Sequence, residues 1–263
     1  MLVDLWAALA DLVLPTECAG CRRTDGRLRF GVCVGCVDEV RQLRPRAVRP
    51  DPAPAGLPDC VALGAYAGVL RELLLAYKER GRHGLARPLG RLLAATVAAA
   101  VDPRQPVLLV PVPSTAAAVR ERHGDHLRRL TRHAVTALRA DGWRAATARP
   151  LRALPRPDSA GLDSAGRMAS AEAGFAPRRV GFDVARRRVG FDVARRRVGF
   201  DVARRRVEVD AAGRRDSLPK VIVVDDIVTT GATLAAVERL LAAEGLAVHT
   251  AVVLAATRRR DGA

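Results

Sequence analysis

The hydrophobic residues follow two different spacings near the C-terminal end of the chain. Residues 221–224 are a continuous β-branched run without polar alternation, which predicts a central parallel strand that is buried on both faces. Leu234, Val237 and Leu241 then recur at helical spacing, and Gly245 is a typical residue just beyond a helix end. The pattern therefore predicts a strand, a turn and a helix in that order.

Further strands and helices alternate through the middle of the chain. Because strands that alternate with helices are typical of parallel sheets with right-handed crossovers, we predict an α/β fold with an open parallel sheet flanked by helices. The predicted elements are strand Val61–Ala67, helix Leu70–Tyr77, helix Leu85–Val101, strand Val107–Val110, helix His126–Leu138, strand Arg144–Pro150 and strand Val248–Leu254.

The first fourteen residues have an apolar helical face. This stretch is too short to span a bilayer, and it lacks the basic start and small-residue cleavage site of a signal peptide. We therefore expect the face to pack on the body of the protein, without stable membrane insertion, and we expect a cytoplasmic location. The face comprises Leu2, Leu5, Trp6, Leu9, Leu12 and Val13.

Four of the five cysteines form two close pairs. Two residues separate Cys18 from Cys21 and Cys33 from Cys36, and eleven residues lie between the pairs. Each pair can direct two thiolates at one tetrahedral Zn²⁺, and four sulfurs leave no open position for a substrate. We predict a structural, zinc-ribbon-like module; the alternatives are two disulfides, which a reducing cytosol disfavours, or a redox pair. Cys60 is predicted to be an ordinary buried thiol.

The chain is long enough for one α/β domain and a small additional module. It has 263 residues, of which 49% are hydrophobic and 3% aromatic. Prolines are concentrated at residues 44–58, which predicts a semi-rigid linker. The predicted organisation is an N-terminal helix and zinc module at 1–43, a linker at 44–60 and the α/β domain at 61–257.

A perfect nonapeptide repeat interrupts the predicted domain. Val-Gly-Phe-Asp-Val-Ala-Arg-Arg-Arg occurs at residues 180–188, 189–197 and 198–206, and these copies supply 6 of the 16 formal net positive charges. We predict an arginine-rich insertion at 178–207. It is interpreted either as a nucleic-acid-binding arm or phosphate funnel, or as a tandem expansion in a surface loop. The net charge of +16 also predicts attraction to polyanions.

The residues after the buried strand have the chemistry of a sugar-phosphate site. Asp225 and Asp226 follow Val224, and the carboxyl end of such a strand is where open α/β sheets bind ligands. Paired carboxylates there can accept sugar hydroxyls or hold a metal ion. A strand, an aspartate N-cap and a helix without a ligand form the alternative. The next residues offer hydroxyls, a glycine and a helix N-terminus to a phosphate: Thr229, Thr230, Gly231, Ala232 and Thr233.

This stretch resembles the phosphoribosyl pyrophosphate (PRPP) signature of type I phosphoribosyltransferases, a hydrophobic run followed by Asp-Asp and Thr-Thr-Gly-x-Thr. The resemblance implies a type I phosphoribosyltransferase-like sheet. It also implies that Asp225 and Asp226 are the catalytic pair that holds the ribose 2′- and 3′-hydroxyls, and that residues 229–233 bind the 5′-phosphate. Mg²⁺ would accompany PRPP, and positioning and charge neutralisation would provide most of the catalysis.

The order of motifs along most of the chain is similar to that of ComF-family proteins, some of which are associated with competence for DNA uptake. The likeness rests on the four-cysteine module, Tyr77-Lys78-x-x-Gly81, Pro-Val-Pro at 111–113, an arginine-rich helix start and the late Asp-Asp motif. The resemblance implies a pyrophosphate-binding loop at 111–115, with arginines that grip phosphate oxygens. The residues so assigned are Ser114, Thr115, Arg120, Arg122 and Lys78.

Two segments depart from the family pattern. The family often has Arg-x-Arg-Gly followed by Asn or Asp and then Gln, whereas residues 120–126 are Arg-Glu-Arg-His-Gly-Asp-His. A second element has Ser159 and Ser170 in place of two amides. Without an evident acidic partner, His123 and His126 are predicted to be loop histidines.

Two functions agree with these patterns. The first is Mg²⁺-dependent transfer of a phosphoribosyl group to an unidentified acceptor with loss of pyrophosphate. The second is a non-catalytic protein with the same fold that acts in DNA uptake or nucleic-acid handling, with single-stranded DNA or competence proteins as partners. The intact Asp-Asp and threonine motif favours PRPP binding in both.

Overall fold

The computed structural model describes residues 17–24, 27–155, 174–178 and 218–257. The predicted N-terminal helix, the serine-substituted element and the nonapeptide repeats lie outside these residues. In chain order the elements are β1 (Leu28–Arg29), β2 (Val32–Cys33), α1 (Val34–Arg41), β3 (Arg46–Val48), β4 (Cys60–Ala65), α2 (Gly68–Lys78), α3 (Ala86–Ala100), β5 (Val107–Pro111), α4 (Ala116–Glu121), α5 (His126–Ala140), β6 (Ala145–Thr147), β7 (Leu151–Ala153), β8 (Phe175–Pro177), β9 (Lys220–Val228), α6 (Ala232–Ala243) and β10 (Val248–Ala256).

Six of these strands form one sheet, which confirms the predicted α/β class. Their order is β3-β4-β10-β9-β5-β6, and every neighbouring pair is parallel except β3 with β4. The strands β1 and β2 form a small antiparallel pair beside the cysteines, and β7 and β8 form another. The sheet is therefore open and mostly parallel, as predicted.

The centre of the sheet contains a point where the chain direction changes. Strands β5 and β9 are neighbours, but β5 leads through α4 and α5 outward to β6, whereas β9 leads through α6 the other way to β10. Because parallel crossovers are right-handed, opposite directions place α5 and α6 on opposite faces of the sheet. A crevice forms at the carboxyl ends of such a strand pair, and open α/β sheets bind ligands there.

Helices α3 and α5 pack closely on one face of the sheet. A Cβ atom added at Gly90 of α3 would lie 2.5 Å from Cβ of His133 and 3.0 Å from the carbonyl oxygen of Leu130, both on α5. Only glycine fits this approach. The contact fixes α5, whose first residues lie at the crevice.

Strand β3 is a difference from the sequence prediction, because it lies within the proline-rich segment that was interpreted as a linker. Its three residues pair with β4 from Arg46↔Ala62 to Val48↔Cys60. A short antiparallel strand of this kind covers the edge of a sheet. The segment therefore adds an edge strand to the sheet before the prolines begin to dominate.

Strand β9 also differs, since it continues four residues past the predicted end at Val224. Strand β10 keeps pairing with it, from Val253↔Asp225 to Ala256↔Val228. On the other side, β5 stops at the pair Pro111↔Val224. Asp225 and Asp226 thus lie inside the strand, in the part that has a paired neighbour on one side and the crevice on the other.

Candidate functional site

Two connecting segments meet at the crevice between β5 and β9. Residues 112–115 follow β5, and the backbone N–H of Val112 still donates to the carbonyl of Val224 at 2.9 Å. Residues 229–231 follow β9 and lead into α6. The predicted pyrophosphate loop and the predicted phosphate turn therefore lie on either side of Asp225 and Asp226.

The two adjacent carboxylates have different surroundings because side chains alternate along a strand. Asp226 is 6% exposed, and its Oδ2 lies 2.9 Å from Nζ of Lys78 and 3.2 Å from Nε2 of His126. Asp225 is half-buried, and its Oδ1 accepts the backbone N–H of Asp226 at 2.9 Å. The pair thus consists of one carboxylate that contacts a lysine and a histidine and one that has a backbone partner.

These surroundings shift the pKa values of Asp225 and Asp226 in opposite directions. Burial alone would raise the pKa of Asp226, but the hydrogen bond from His126 and the charge of Lys78 hold that pKa well below its usual range. Burial, followed by the negative charge of Asp226, raises the pKa of Asp225 well above its usual range. Of the two carboxyl groups, Asp226 is therefore the one that is ionised first as pH rises.

The end of α2 makes three contacts with the site through consecutive residues. The hydroxyl of Tyr77 donates to the carbonyl of His126 at 2.6 Å, and Lys78 contacts Asp226. Oε1 of Glu79 accepts from Nη2 of Arg122 at 3.4 Å. Lys78, predicted from the resemblance to bind pyrophosphate, is therefore placed against the carboxylate of Asp226.

His126 is a correction to the sequence prediction of a loop histidine without an acidic partner. It is the first residue of α5, it is 7% exposed, and Asp226 is its acidic partner. The two residues are 100 positions apart in the chain, so no local pattern reveals the contact. Asp125 is the one local residue that could have indicated that a helix begins at His126. Its carboxylate caps α5 by accepting the N–H of Arg128 at 2.9 Å. His123 lies in a turn with a positive φ of 52°.

The turn after β9 has an unusual backbone geometry that suits a phosphate. Gly231 precedes α6 with φ +78°, and an added Cβ atom there would lie 2.8 Å from Leu57. The hydroxyl of Thr230 accepts the N–H of Ala232 at 3.4 Å, whereas Thr229 is exposed and Thr233 is half-buried. The first N–H groups of a helix lack partners within that helix, so this turn presents donors to the crevice.

The residues predicted to bind pyrophosphate differ from one another in exposure and in contacts. Ser114 is half-buried, and the hydroxyl of Thr115 caps α4 by accepting the N–H of Ala118 at 3.2 Å. Arg120 is exposed, whereas Arg122 is half-buried beside Glu79. Nε of Arg122 is buried without a hydrogen-bond partner. Such a donor is available to an anion.

The four paired cysteines converge on one point. All four sulfur atoms of Cys18, Cys21, Cys33 and Cys36 lie within 4.8 Å of one another, and those of Cys21 and Cys33 are 3.7 Å apart. Zinc–sulfur bonds of about 2.3 Å in a tetrahedron place sulfurs roughly 3.8 Å apart. The four cysteines are therefore positioned to bind one metal ion, and their spacing fits zinc. Cys60 is a buried free thiol outside this cluster, as predicted.

The backbone around the cysteines favours a bound metal. Burial alone would raise the pKa of Cys18, but the N–H groups of Cys33, Cys21 and Gly20 hydrogen-bond its sulfur and bring the pKa to about 6. A Cβ atom added at Gly20 would lie 2.8 Å from the sulfur of Cys36, so the turn needs glycine to bring this sulfur close. These hydrogen bonds favour the thiolate form of Cys18, which is the form that binds a metal ion.

Polar contacts attach the cysteine cluster to α2. Oε1 of Glu39 accepts the N–H of Val69 at 3.4 Å, and Arg22 lies 3.5 Å from Glu72. Just beyond α2, Nη2 of Arg82 donates to the carbonyl of Gly31 at 3.3 Å. Helix α2 therefore contacts the cysteine module through Val69 and Glu72 in its first turns and contacts Asp226 through its last residue.

A cavity of about 530 Å³ lies away from this site, between α1 and the carboxyl end of β4. It is lined by Leu43 and Gly64 among others and includes none of the residues predicted to bind a ligand. The crevice between β5 and β9 is assigned on its chemistry rather than on volume. Among the helices that the structure describes, none is long and apolar enough to cross a membrane.

Comparison with known proteins agrees with this assignment. The family model described as the phosphoribosyl transferase domain matches residues 217–262, which contain β9, the turn, α6 and β10. No curated protein is similar enough to the chain to count as a match. The sheet, the matched segment and the cysteine cluster together define a phosphoribosyltransferase-like α/β protein with four cysteines near its N-terminus that are positioned to bind a metal ion.

Proposed function

We propose that this protein is a ComF-type phosphoribosyltransferase that binds PRPP with Mg²⁺ and transfers the phosphoribosyl group to an acceptor. One observation supports the proposal most strongly. Asp225, Asp226 and the turn at 229–233 lie at the carboxyl ends of β5 and β9, where the sheet changes direction, inside the segment that matches the phosphoribosyl transferase model. Asp225 has no ion-pair partner among the described residues and lies beside the turn at 229–233, and the fold gives no evident structural reason for a carboxylate there.

Each part of PRPP has a complementary group in the crevice. Asp225 and Asp226 accept the ribose hydroxyls, since a carboxylate offers several lone pairs. The turn at 229–233 binds the 5′-phosphate through N–H groups and threonine hydroxyls. Ser114, Thr115, Arg120 and Arg122 surround the pyrophosphate; Mg²⁺, when bound, neutralises charge on the leaving group.

The reaction exchanges one bond for another at the ribose C1. The bond from C1 to the pyrophosphate oxygen breaks, and pyrophosphate leaves with the electron pair. A lone pair of the acceptor forms the new bond to C1, and the acceptor loses a proton to solvent or to a base. Because positive charge develops on the sugar, a negatively charged carboxylate of Asp226 beside the sugar would favour it.

Calorimetry with PRPP and Mg²⁺ tests the proposal. We expect wild-type protein to bind, and we expect Asp225→Asn with Asp226→Asn to abolish binding while the protein stays folded. Asp141→Asn is the matched control, because Asp141 is exposed just beyond the far end of α5. Absence of binding by the wild type would refute the proposal. Binding without pyrophosphate release with any acceptor would favour a binding protein.

A second candidate function is supported by the charge of the chain. The formal net charge of +16 favours a nucleic acid, and a non-catalytic PRPP-binding protein could act in the cytoplasm in DNA uptake with competence proteins. Single-stranded DNA binding that weakens with salt is the expected result. Deletion of residues 180–206 removes 6 of the 16 charges, so binding that survives it would assign the contact to the rest of the protein.

The cysteine cluster has a structural function in this proposal. Cys18, Cys21, Cys33 and Cys36 hold one Zn²⁺, and four sulfur ligands leave no position for a substrate. The ion would fix the module against α2.

A further inference from the structure

His126 is held firmly by two residues of the candidate site. Its Nε2 lies 3.2 Å from Oδ2 of Asp226, and its carbonyl accepts the hydroxyl of Tyr77 at 2.6 Å. The Tyr77 ring meets the imidazole edge-on, with ring centroids 6.3 Å apart. The side chain of His126 is 9% exposed. These contacts fix the ring at the start of α5.

The hydrogen bond between His126 and Asp226 has a defined direction. An ionised carboxylate only accepts hydrogen bonds, so Nε2 of His126 must bear the proton and donate it. Nζ of Lys78 donates to the same oxygen at 2.9 Å. Two donors on one oxygen hold the carboxylate plane, because rotation about its terminal bond would break both contacts. Other lone pairs of the carboxylate remain for a ligand hydroxyl.

The two donors differ in their freedom to move. Lys78 has a long side chain with several rotatable bonds, and that side chain is 25% exposed. A lysine in that position can turn toward a phosphate. His126 has a short, nearly buried side chain that is packed against Tyr77. His126 can therefore keep Asp226 in place when Lys78 changes partner.

We propose that His126 is a positioning residue, which orients Asp226 for a ribose hydroxyl through its Nε2–H. The inference rests on the proposed function, since it assumes that Asp226 binds the sugar of PRPP. It differs from a purely structural role in one respect. Loss of the Nε2 donor should weaken ligands that contain ribose and leave pyrophosphate binding almost unchanged.

Two substitutions separate the donor from the shape of the side chain. The amide nitrogen of glutamine can reach the position of Nε2, whereas the shorter asparagine reaches only the position of Nδ1. We therefore compare His126→Gln with His126→Asn. His249→Asn is the matched control, because His249 is exposed at the amino end of β10, at the opposite edge of the sheet.

Calorimetry in Mg²⁺ with PRPP, ribose 5-phosphate and pyrophosphate gives the decisive comparison. We expect His126→Asn to weaken PRPP and ribose 5-phosphate by about 10- to 100-fold, the usual effect of losing a hydrogen bond to a charged group. His126→Gln should stay within about threefold of wild type, because a donor at the same place replaces the lost one. Pyrophosphate affinity should stay constant in both variants.

Three results would overturn the inference. His126→Asn could bind PRPP and ribose 5-phosphate as tightly as the wild type does, or the two variants could lose the same affinity for these ligands. The third result is a loss of pyrophosphate affinity as large as the loss of PRPP affinity. A wild type that binds neither PRPP nor ribose 5-phosphate would instead refute the proposed function, and this inference with it.

Nitrogen–proton NMR spectra of the histidine side chains test the contact without any ligand. We expect an Nε2–H signal that disappears in His126→Asn and shifts in Asp226→Asn but not in His249→Asn. A deprotonated Nε2 in His126 would overturn the inference even if PRPP binds.

Discussion

Lys78 and Asp226 form a partly buried ion pair, with Nζ 2.9 Å from Oδ2, that connects the last residue of α2 to β9. Asp225, the next residue in the strand, accepts a backbone N–H instead. The lysine thus compensates the charge of one carboxylate directly, while the other bears the cost of burial and of a negative neighbour. This asymmetry gives the two aspartates opposite effects on stability.

We expect Asp226→Asn to destabilise the protein and Asp225→Asn to stabilise it. The first change leaves a poorly solvated lysine without its anion and should lower the free energy of unfolding by about 2 kcal/mol. Asp225→Asn removes a carboxyl group that is costly to ionise, and it should raise the free energy of unfolding by about 1 kcal/mol. Thermal unfolding at pH 8 measures both effects. Losses of similar size in both variants would contradict the opposite roles assigned to the two carboxyl groups.

The gain from Asp225→Asn should depend on pH. The folded-state pKa of Asp225 is raised, so the folded protein binds this proton more tightly than the unfolded chain does. Wild-type stability therefore falls as pH rises from about 4 toward the folded pKa. The gain should be small at pH 4 and larger at pH 8. Urea unfolding of both proteins at several pH values checks this; a constant difference would contradict it.

The lowered pKa of Asp226 gives a different pH window. Its contribution is complete above about pH 4, the value in the unfolded chain, and is lost as pH falls toward the folded pKa. The part of the Asp226→Asn deficit that comes from the lost anion should therefore shrink as pH falls below about 4. The same urea series provides this internal comparison.

The cysteine cluster should hold one zinc ion per chain. Elemental analysis should find zinc in wild type and in Cys60→Ser but not in Cys36→Ser, because Cys60 lies outside the cluster. Removal of zinc by a chelator with little affinity for Mg²⁺ should lower the Tm by roughly 5 to 10 °C. Zinc retained in Cys36→Ser would argue against a four-sulfur site.

Gly231→Ala should disturb both stability and PRPP binding. Alanine at φ +78° costs about 1 to 2 kcal/mol, and its Cβ would also lie 2.8 Å from Leu57. Gly245→Ala is the matched control, since Gly245 has the same φ with no neighbour within 4 Å. We expect both variants to lose a similar amount of stability because of the positive φ. We expect only Gly231→Ala to lose PRPP affinity in calorimetry. Equal PRPP affinity in both variants would show that the turn at Gly231 does not bind the 5′-phosphate.

Local sequence patterns predicted much of the fold because they report local physics. The β-branched run at 221–224 marked a buried strand, and the two close cysteine pairs marked a group of four sulfurs positioned to bind a metal ion. The end of β9 was misjudged, because β10 extends the pairing to Val228 and no local residue signals this. Strand β3 was missed for a related reason, since only its pairing with β4 distinguishes it from the surrounding proline-rich segment.

The site was predicted less completely than the fold. Asp225 and Asp226 were recognisable as a pair, but their different partners depend on which face of the strand each side chain occupies. His126 was misjudged because its acidic partner lies on another strand. Tyr77 belonged to a recognised motif, but its contact with His126 was not predictable from the sequence, and Glu79 was identifiable only from its contact with Arg122.

Strand β3 determines where the chain can be divided. A fragment that begins at residue 61 would lack β3 and would expose the hydrogen-bonding edge of β4. Exposed edges of this kind pair with other chains, so such a fragment should self-associate even if its own core is intact. A fragment that begins before Arg46 keeps the edge covered, and the smallest soluble unit therefore includes part of the proline-rich segment.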